Sequence, residues 1–154
     1  MSVFSGFLII INLLFLIWIW WYSVKHYKML TTKIPMHFDF EGKPDGYGNK
    51  KWFWMLPMVA LAIFIGLNLA NLYPETGNYV VEITEKNKDF QYGIVGVFTQ
   101  FMVFVILGLC FCIQENIVKL QTDEKAMSRI PYWVFIILMF FMTMAFIIIS
   151  ATVK

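Results

Sequence analysis

The chain has 154 residues, of which 60% are hydrophobic, 19% aromatic and only 14% charged, against about 45–50% apolar and about 25% charged in soluble domains. Ten Met, sixteen Phe and six Trp are more apolar mass than a domain of this size can bury, so its surroundings must be largely lipid. A net charge of +2 and a pI near 8.5 exclude the strongly basic surface that phosphate backbones demand, and no nucleic-acid partner is expected.

Four stretches carry no Asp, Glu, Lys or Arg: 3–22, 52–72, 93–113 and 132–153. Each is about 20 residues long, the length of helix that crosses about 30 Å of hydrocarbon. Only a helix satisfies its own backbone there, and the alternation that marks barrel strands is missing. The expected fold is all-α: residues 1–154 form a single membrane domain, a four-helix bundle with an ordered loop between helices 1 and 2. The first stretch lacks a preceding Lys or Arg and a following small-residue cleavage pattern, so it reads as a span and not as a signal peptide. Within it, Asn12 is a polar residue in lipid.

The first loop reads Lys33-Ile-Pro-Met-His-Phe-Asp-Phe-Glu-Gly-Lys-Pro-Asp-Gly-Tyr-Gly-Asn-Lys50. Ile34-Pro35 forces an extended start, and on a strand His37, Asp39 and Glu41 share one face. Glu41-Gly42 and Pro44-Asp45-Gly46 are turn signals. Gly42 and Gly46 permit unusual backbone angles, and Pro44 pre-sets a turn. Imidazole plus carboxylates suits a divalent metal, or general acid–base work by His37 with Asp39. No second His or Cys cluster, nucleophile motif or phosphate loop joins them. The expectation is therefore a structural histidine, with no metal, no cofactor and no enzyme activity.

In the second span Pro57 falls in the first turns, where a missing N–H is tolerated. Asn68 and Asn71 are three apart on one helical face, with Gly66 nearby to permit close backbone approach. The next loop has extended character over Asn78–Thr84, through Val80, Val81 and Ile83. Thr84 is expected to cap the third helix, with Glu85 in its first turn. Thr99 and Gln100 continue the set of intramembrane polar residues. Asn12, Asn68, Asn71 and Gln100 read as interhelical glue, or alternatively as the lining of a polar route for solute. Cys110 and Cys112 lie two apart on different faces, cannot bridge, and read as small buried hydrophobes. Beyond Gln114 the helix is expected to emerge with a Glu115–Lys119 pair. Thr122 is then placed to cap a short interfacial helix with Ala126, Met127 and Ile130.

The segments 23–51 and 114–131 share one side and hold nine of the twelve Lys and Arg residues. By the positive-inside rule that side is cytoplasmic and both termini lie outside. All six Trp, at 18, 20, 21, 52, 54 and 133, sit at span ends on that same side as an interfacial belt.

The run Ile34-Pro-Met-His-Phe-Asp-Phe-Glu-Gly-Lys-Pro-Asp-Gly-Tyr-Gly-Asn-Lys50, followed by a span with Leu56-Pro57, resembles the bacterial membrane proteins grouped as domain of unknown function 1648, which include the SdpI-type immunity proteins. Asn78-Tyr79-Val80-Val81-Glu82-Ile83-Thr84-Glu85-Lys86-Asn87, then Gln91-Tyr92, is similar to a stretch in some relatives, so the likeness covers roughly residues 1–115. The resemblance implies a multi-pass protein of the bacterial inner membrane, with one branch that protects cells from a secreted killing peptide and relays its presence to a repressor. It carries over His37, Asp39, Gly42, Pro44, Asp45 and Gly46 as motif residues, with Asn78, Tyr79 and Thr84 as the second candidate group. It also implies that the motif loop faces outward, opposite to the direction implied by the charges. The functional expectation is recognition of a peptide or membrane partner through the 33–50 loop. The alternative is a transporter or channel component lined by Asn68, Asn71 and Gln100.

Overall fold

The computed structural model of the chain describes residues 3–39, 43–121 and 131–153. Its elements run α1 (Val3–Tyr27), β1 (Lys33–Phe38), β2 (Pro44–Asn49), α2 (Met55–Ala70), α3 (Lys88–Lys119) and α4 (Tyr132–Thr152), with a 3-10 turn at Lys50–Trp54 leading into α2. Four helices are long and apolar enough to cross a membrane, which makes this a multi-pass membrane protein. The third span is the longest, at 32 residues, or about 48 Å at 1.5 Å per residue. It outruns the hydrocarbon at both ends, and beyond Gln114 it carries the expected pair, Lys119 Nζ lying 3.0 Å from Glu115.

The bundle is organised around α3, which contacts each of the other three helices. Along α3, Gln100, Val103, Leu107, Cys110, Gln114 and Ile117 are all buried, a run of alternating three- and four-residue steps that keeps one stripe on one side of a helix. Ser5, Asn12, Leu16, Ile19 and Ser23 form the matching buried stripe of α1. The two helices run parallel: Asn12 meets Gln100 and Ser23 meets Gln114. Leu16, Ile19, Val103, Leu107, Cys110 and Ala60 of α2 close the apolar core between them. The buried Cys110 thus behaves as the small hydrophobe expected.

Helix α4 packs chiefly on α3. A Cβ on Gly108 would stand 3.1 Å from Phe135 Cε1, so this glycine sets the closeness of that contact. The close approach expected at Gly66 is absent, since nothing lies within 4 Å of its Cβ position. Exposed Phe140, Phe141 and Ile148 leave the outer side of α4 apolar, as a lipid-facing surface should be.

The ordered loop is an antiparallel hairpin, so a two-stranded sheet joins the helical bundle. Ile34 of β1 and Phe53 of the 3-10 turn are fully buried with Leu30 and Ile117. This second apolar cluster fastens the hairpin to the end of α3. Pro44-Asp45-Gly46 lies in β2 and not in a turn, because Pro is tolerated at the first residue of an edge strand. The reversal occurs earlier: Asp39 N–H donates to the Lys43 carbonyl at 2.9 Å and Lys43 N–H donates to Asp39 Oδ1 at 2.8 Å.

Residues 77–84 form no strand. Tyr79 donates its hydroxyl to the Pro74 carbonyl at 2.6 Å, and Asn87 Oδ1 accepts the Thr84 N–H at 2.8 Å. These local bonds satisfy the segment without a ladder. Thr84 therefore does not cap α3, which starts three residues later, after Asn87, with Asp89 as the acidic residue of its first turn. Glu41, Gly42, Thr122, Ala126, Met127 and Ile130 lie outside the described residues.

Candidate functional site

Two sets of candidate residues are drawn together at separate places. The first is the hairpin. Its register pairs Ile34 with Gly48, Pro35 with Tyr47, His37 with Gly46 and Phe38 with Pro44, with irregularities on both sides of His37. Met36 is the extra residue of the first irregularity, and a Cβ on Gly48 would fall 2.6 Å from Met36 Cγ. Gly46 is needed for a similar reason, since its Cβ would lie 3.2 Å from His37 Cβ. The motif glycine here serves close approach, where the sequence suggested unusual backbone angles.

The irregular ladder turns His37 toward β2. Its Nδ1 donates to Asp45 Oδ1 at 2.5 Å, on a side chain 76% exposed. Asp39, the partner expected from alternation, is spent on the turn. The imidazole is thus oriented by a carboxylate on the neighbouring strand. Among the described residues no group of three or more His, Cys, Asp or Glu is arranged to hold a metal ion.

Beneath β1 the hairpin overhangs a groove of about 340 Å³. Met36 and Phe38 of the hairpin line it together with Trp52 and Leu56 from the start of the second span, Ile113 of α3 and Tyr132 of α4. It is mostly apolar, with His37 at its border. Aromatic side chains concentrate at this end: Trp20 and Trp54 stand 5.9 Å apart, Tyr27 and Trp54 5.3 Å, and Lys25 lies 4.7 Å from the Trp21 ring. Trp20, Trp21 and Trp54, three of the six tryptophans expected to form a belt, are gathered here.

The second set is the intramembrane amides. Asn12 Nδ2 donates to the backbone carbonyl of Gln100 at 2.9 Å and to its Oε1 at 3.0 Å, while Gln100 Nε2 donates to Asn68 Oδ1 at 3.0 Å. Asn68 Nδ2 closes the chain on the Phe64 carbonyl at 2.8 Å. Three helices are joined by one string of amides, which satisfies groups that lipid cannot. Asn71 stands apart from that string, at the C-terminal end of α2. Asn78, Tyr79 and Thr84 lie between α2 and α3, at the end of the bundle opposite the hairpin.

Several further polar clasps join distant segments. Gln91 Nε2 donates to the Ser150 and Val153 carbonyls, and Ser150 Oγ returns a bond to Gln91 Oε1 at 2.6 Å. Gln114 Nε2 donates to Ser23 Oγ at 2.7 Å, Asn116 Nδ2 to the Tyr132 hydroxyl at 2.8 Å, and Thr31 bonds Gln121 Oε1. Gln91, Gln114 and Asn116 lie outside the charge-free stretches of sequence, so their burial was not apparent there. The signal available was spacing: Gln114 falls fourteen residues after Gln100, four helical turns along the same face.

Neither the curated proteins nor the solved structures include a match to this chain. A family model described as Domain of unknown function (DUF1648) matches residues 7–61, so the segment similar to that family takes in most of α1, the whole hairpin and the first part of α2.

Proposed function

We propose that the protein works by recognition, and that the hairpin groove is where an apolar segment of a peptide or membrane partner is held. The observation that supports this reading is the groove itself. It is shaped before any ligand arrives, because Ile34 and Phe53 anchor the hairpin in a fully buried cluster, and it opens beside the aromatic side chains gathered at that end. Preformed, mostly apolar concavities with a few polar groups at the border are the usual form of binding sites. Tyr47 and Trp52, both exposed, supply amphipathic contact area of the kind enriched at interfaces.

An immunity-type role, in which the partner is a membrane-active peptide met at the bacterial inner membrane, follows from the resemblance and is consistent with an interfacial site. No catalytic step is assigned to the chain. The solute-route reading is less favoured, because Asn12, Gln100 and Asn68 bond to one another and tie the helices where a route would have to pass.

The test is site-specific photo-crosslinking of the full chain in cells that make it, with the photoreactive residue at Trp52. A discrete adduct that is lost on Met36→Asp and kept on Lys28→Ser, at a residue outside the groove, supports the reading. Adducts that ignore Met36→Asp, or lipid adducts alone, overturn it.

A further inference from the structure

A second cavity, of about 360 Å³, opens at the end of the bundle opposite the hairpin. It lies between the start of α1, the chain just after α2 and the first turns of α3, and it reaches from Asp89 and Tyr92 down to Gln100. From Gly93 to Gln100 is seven residues, or about 10 Å along a helix axis, so the cavity reaches well into the membrane. Gly93 and Gly96 make room for it. A Cβ on the first would meet nothing within 4 Å, and one on the second would meet only Ser5 at ordinary contact distance.

Gln100 forms the floor of the cavity, fixed by Asn12 and Asn68, and beyond it Val103 and Leu107 are fully buried. Yet Gln100 is not used up. A primary amide has two donors and two acceptor lone pairs, and only one side-chain donor and one lone pair are engaged in these bonds. The Asn71 side chain also lines the cavity. Among the described residues it has no side-chain hydrogen bond.

Among the described residues Asp89 is the one charged residue of the lining. The adjacent ammonium of Lys88 is bonded to Glu85, at 2.6 Å, and Asp89, which attracts that ammonium from a distance, makes no ion pair of its own among the described residues. The surrounding segment adds Glu75, Glu82 and Glu85 against Lys86 and Lys88. A carboxylate at the mouth of a low-dielectric cleft attracts cations and rejects anions. Tyr92, three residues further along α3, also lines the cavity, and an aromatic ring offers a face for an organic cation. Ile9 and Val95 line the wall, a surface for an apolar body and not for a hydrated metal ion. We infer that this cavity is a binding site for a small organic cation of the primary ammonium class, its charge at Asp89 and its far end hydrogen-bonded by Asn71 and Gln100. The site is independent of the hairpin groove.

The experiment uses the full chain with Cys110→Ala and Cys112→Ala, carrying Gly96→Cys, in phosphatidylcholine nanodiscs. It compares the cationic aminoethyl and anionic sulfonatoethyl methanethiosulfonates, with 4-hydroxybutylammonium as competitor. The cationic reagent should react faster, on the order of tenfold, and millimolar 4-hydroxybutylammonium should slow it. Asp89→Asn should remove both effects. Equal rates, no protection, or no reaction until the protein is unfolded would each overturn the inference. Gly93→Cys, where the added side chain meets open space, applies the same criteria at the mouth should Gly96→Cys fail to fold.

Discussion

One amide nitrogen of Asn12 serves both the backbone and the side-chain carbonyl of Gln100, at 2.9 and 3.0 Å. Two residues 88 positions apart are thereby fixed in register, as a buried polar residue in an apolar helix seam is able to do. Replacing Gln100 by Leu strands the Asn68 acceptor and leaves Asn12 only the backbone carbonyl at position 100, and should lower stability by about 1–3 kcal/mol. Asn12→Leu with Gln100→Leu should cost less than the sum of the two. Unfolding in mixed micelles measures this coupling, and strict additivity would refute it.

The α3–α4 contact is set by a glycine that the sequence did not single out. Gly108→Leu should push Phe135 aside and lower stability by about 1–3 kcal/mol. Gly66→Ala, with nothing within 4 Å of the added carbon, should be neutral or raise stability by up to about 1 kcal/mol. Thermal unfolding of the two variants in one detergent should move in these different directions.

Hairpin docking should depend on its apolar root and not on its polar pair. Ile34→Ala should cost about 2–5 kcal/mol of local stability and speed tryptic cleavage after Lys50, at the base of the hairpin. His37→Ala removes a bond from a side chain 76% exposed, worth at most about 1 kcal/mol, and should leave cleavage little changed. Equal acceleration by both would place the anchor elsewhere.

Tyr79 has its hydroxyl pKa raised above the usual 10.0, by burial first and then by Tyr92 and Glu75. A raised folded-state value favours the neutral phenol, so its contribution to stability is full below pH 10 and is lost as pH rises through the folded value. The ultraviolet titration of the wild type should show one more late-ionising tyrosine than Tyr79→Phe, at alkaline pH. A difference spectrum that titrates at or below pH 10 would contradict this assignment.

Membrane orientation is open to one direct reading. With Cys110 and Cys112 replaced by Ala, Tyr47→Cys places a single thiol on the exposed hairpin. Nine of twelve cations on that side predict protection from an impermeant thiol reagent until cells are lysed. Labelling of intact cells would put the hairpin groove outside and favour a secreted partner.

The four spans were legible because charge-free runs of bilayer length have one physical solution. Their ends were less so: α1 continues to Tyr27 and α3 starts at Lys88, since a helix does not stop where lipid does. Asn12, Asn68 and Gln100 were recognisable as costly residues needing partners, but which helix supplies each partner is a three-dimensional fact. His37 was recognisable as part of an ordered loop. Its pairing with Asp45 was not, because an irregular ladder breaks the alternation that pointed to Asp39. Both cavities went unseen, as they are gaps between elements distant in sequence.

The segment matched by the family model ends at residue 61, whereas Asn12 and Ser23 of α1 find interhelical partners at Gln100 and Gln114. Kinship and mechanical self-sufficiency therefore have different boundaries in this chain. A fragment cut at the edge of the family match would release Asn12 and Ser23 from their interhelical partners and uncover the stripe that α3 seals. What the matched segment carries is a face awaiting its complement, and the complement is written later in the same polypeptide.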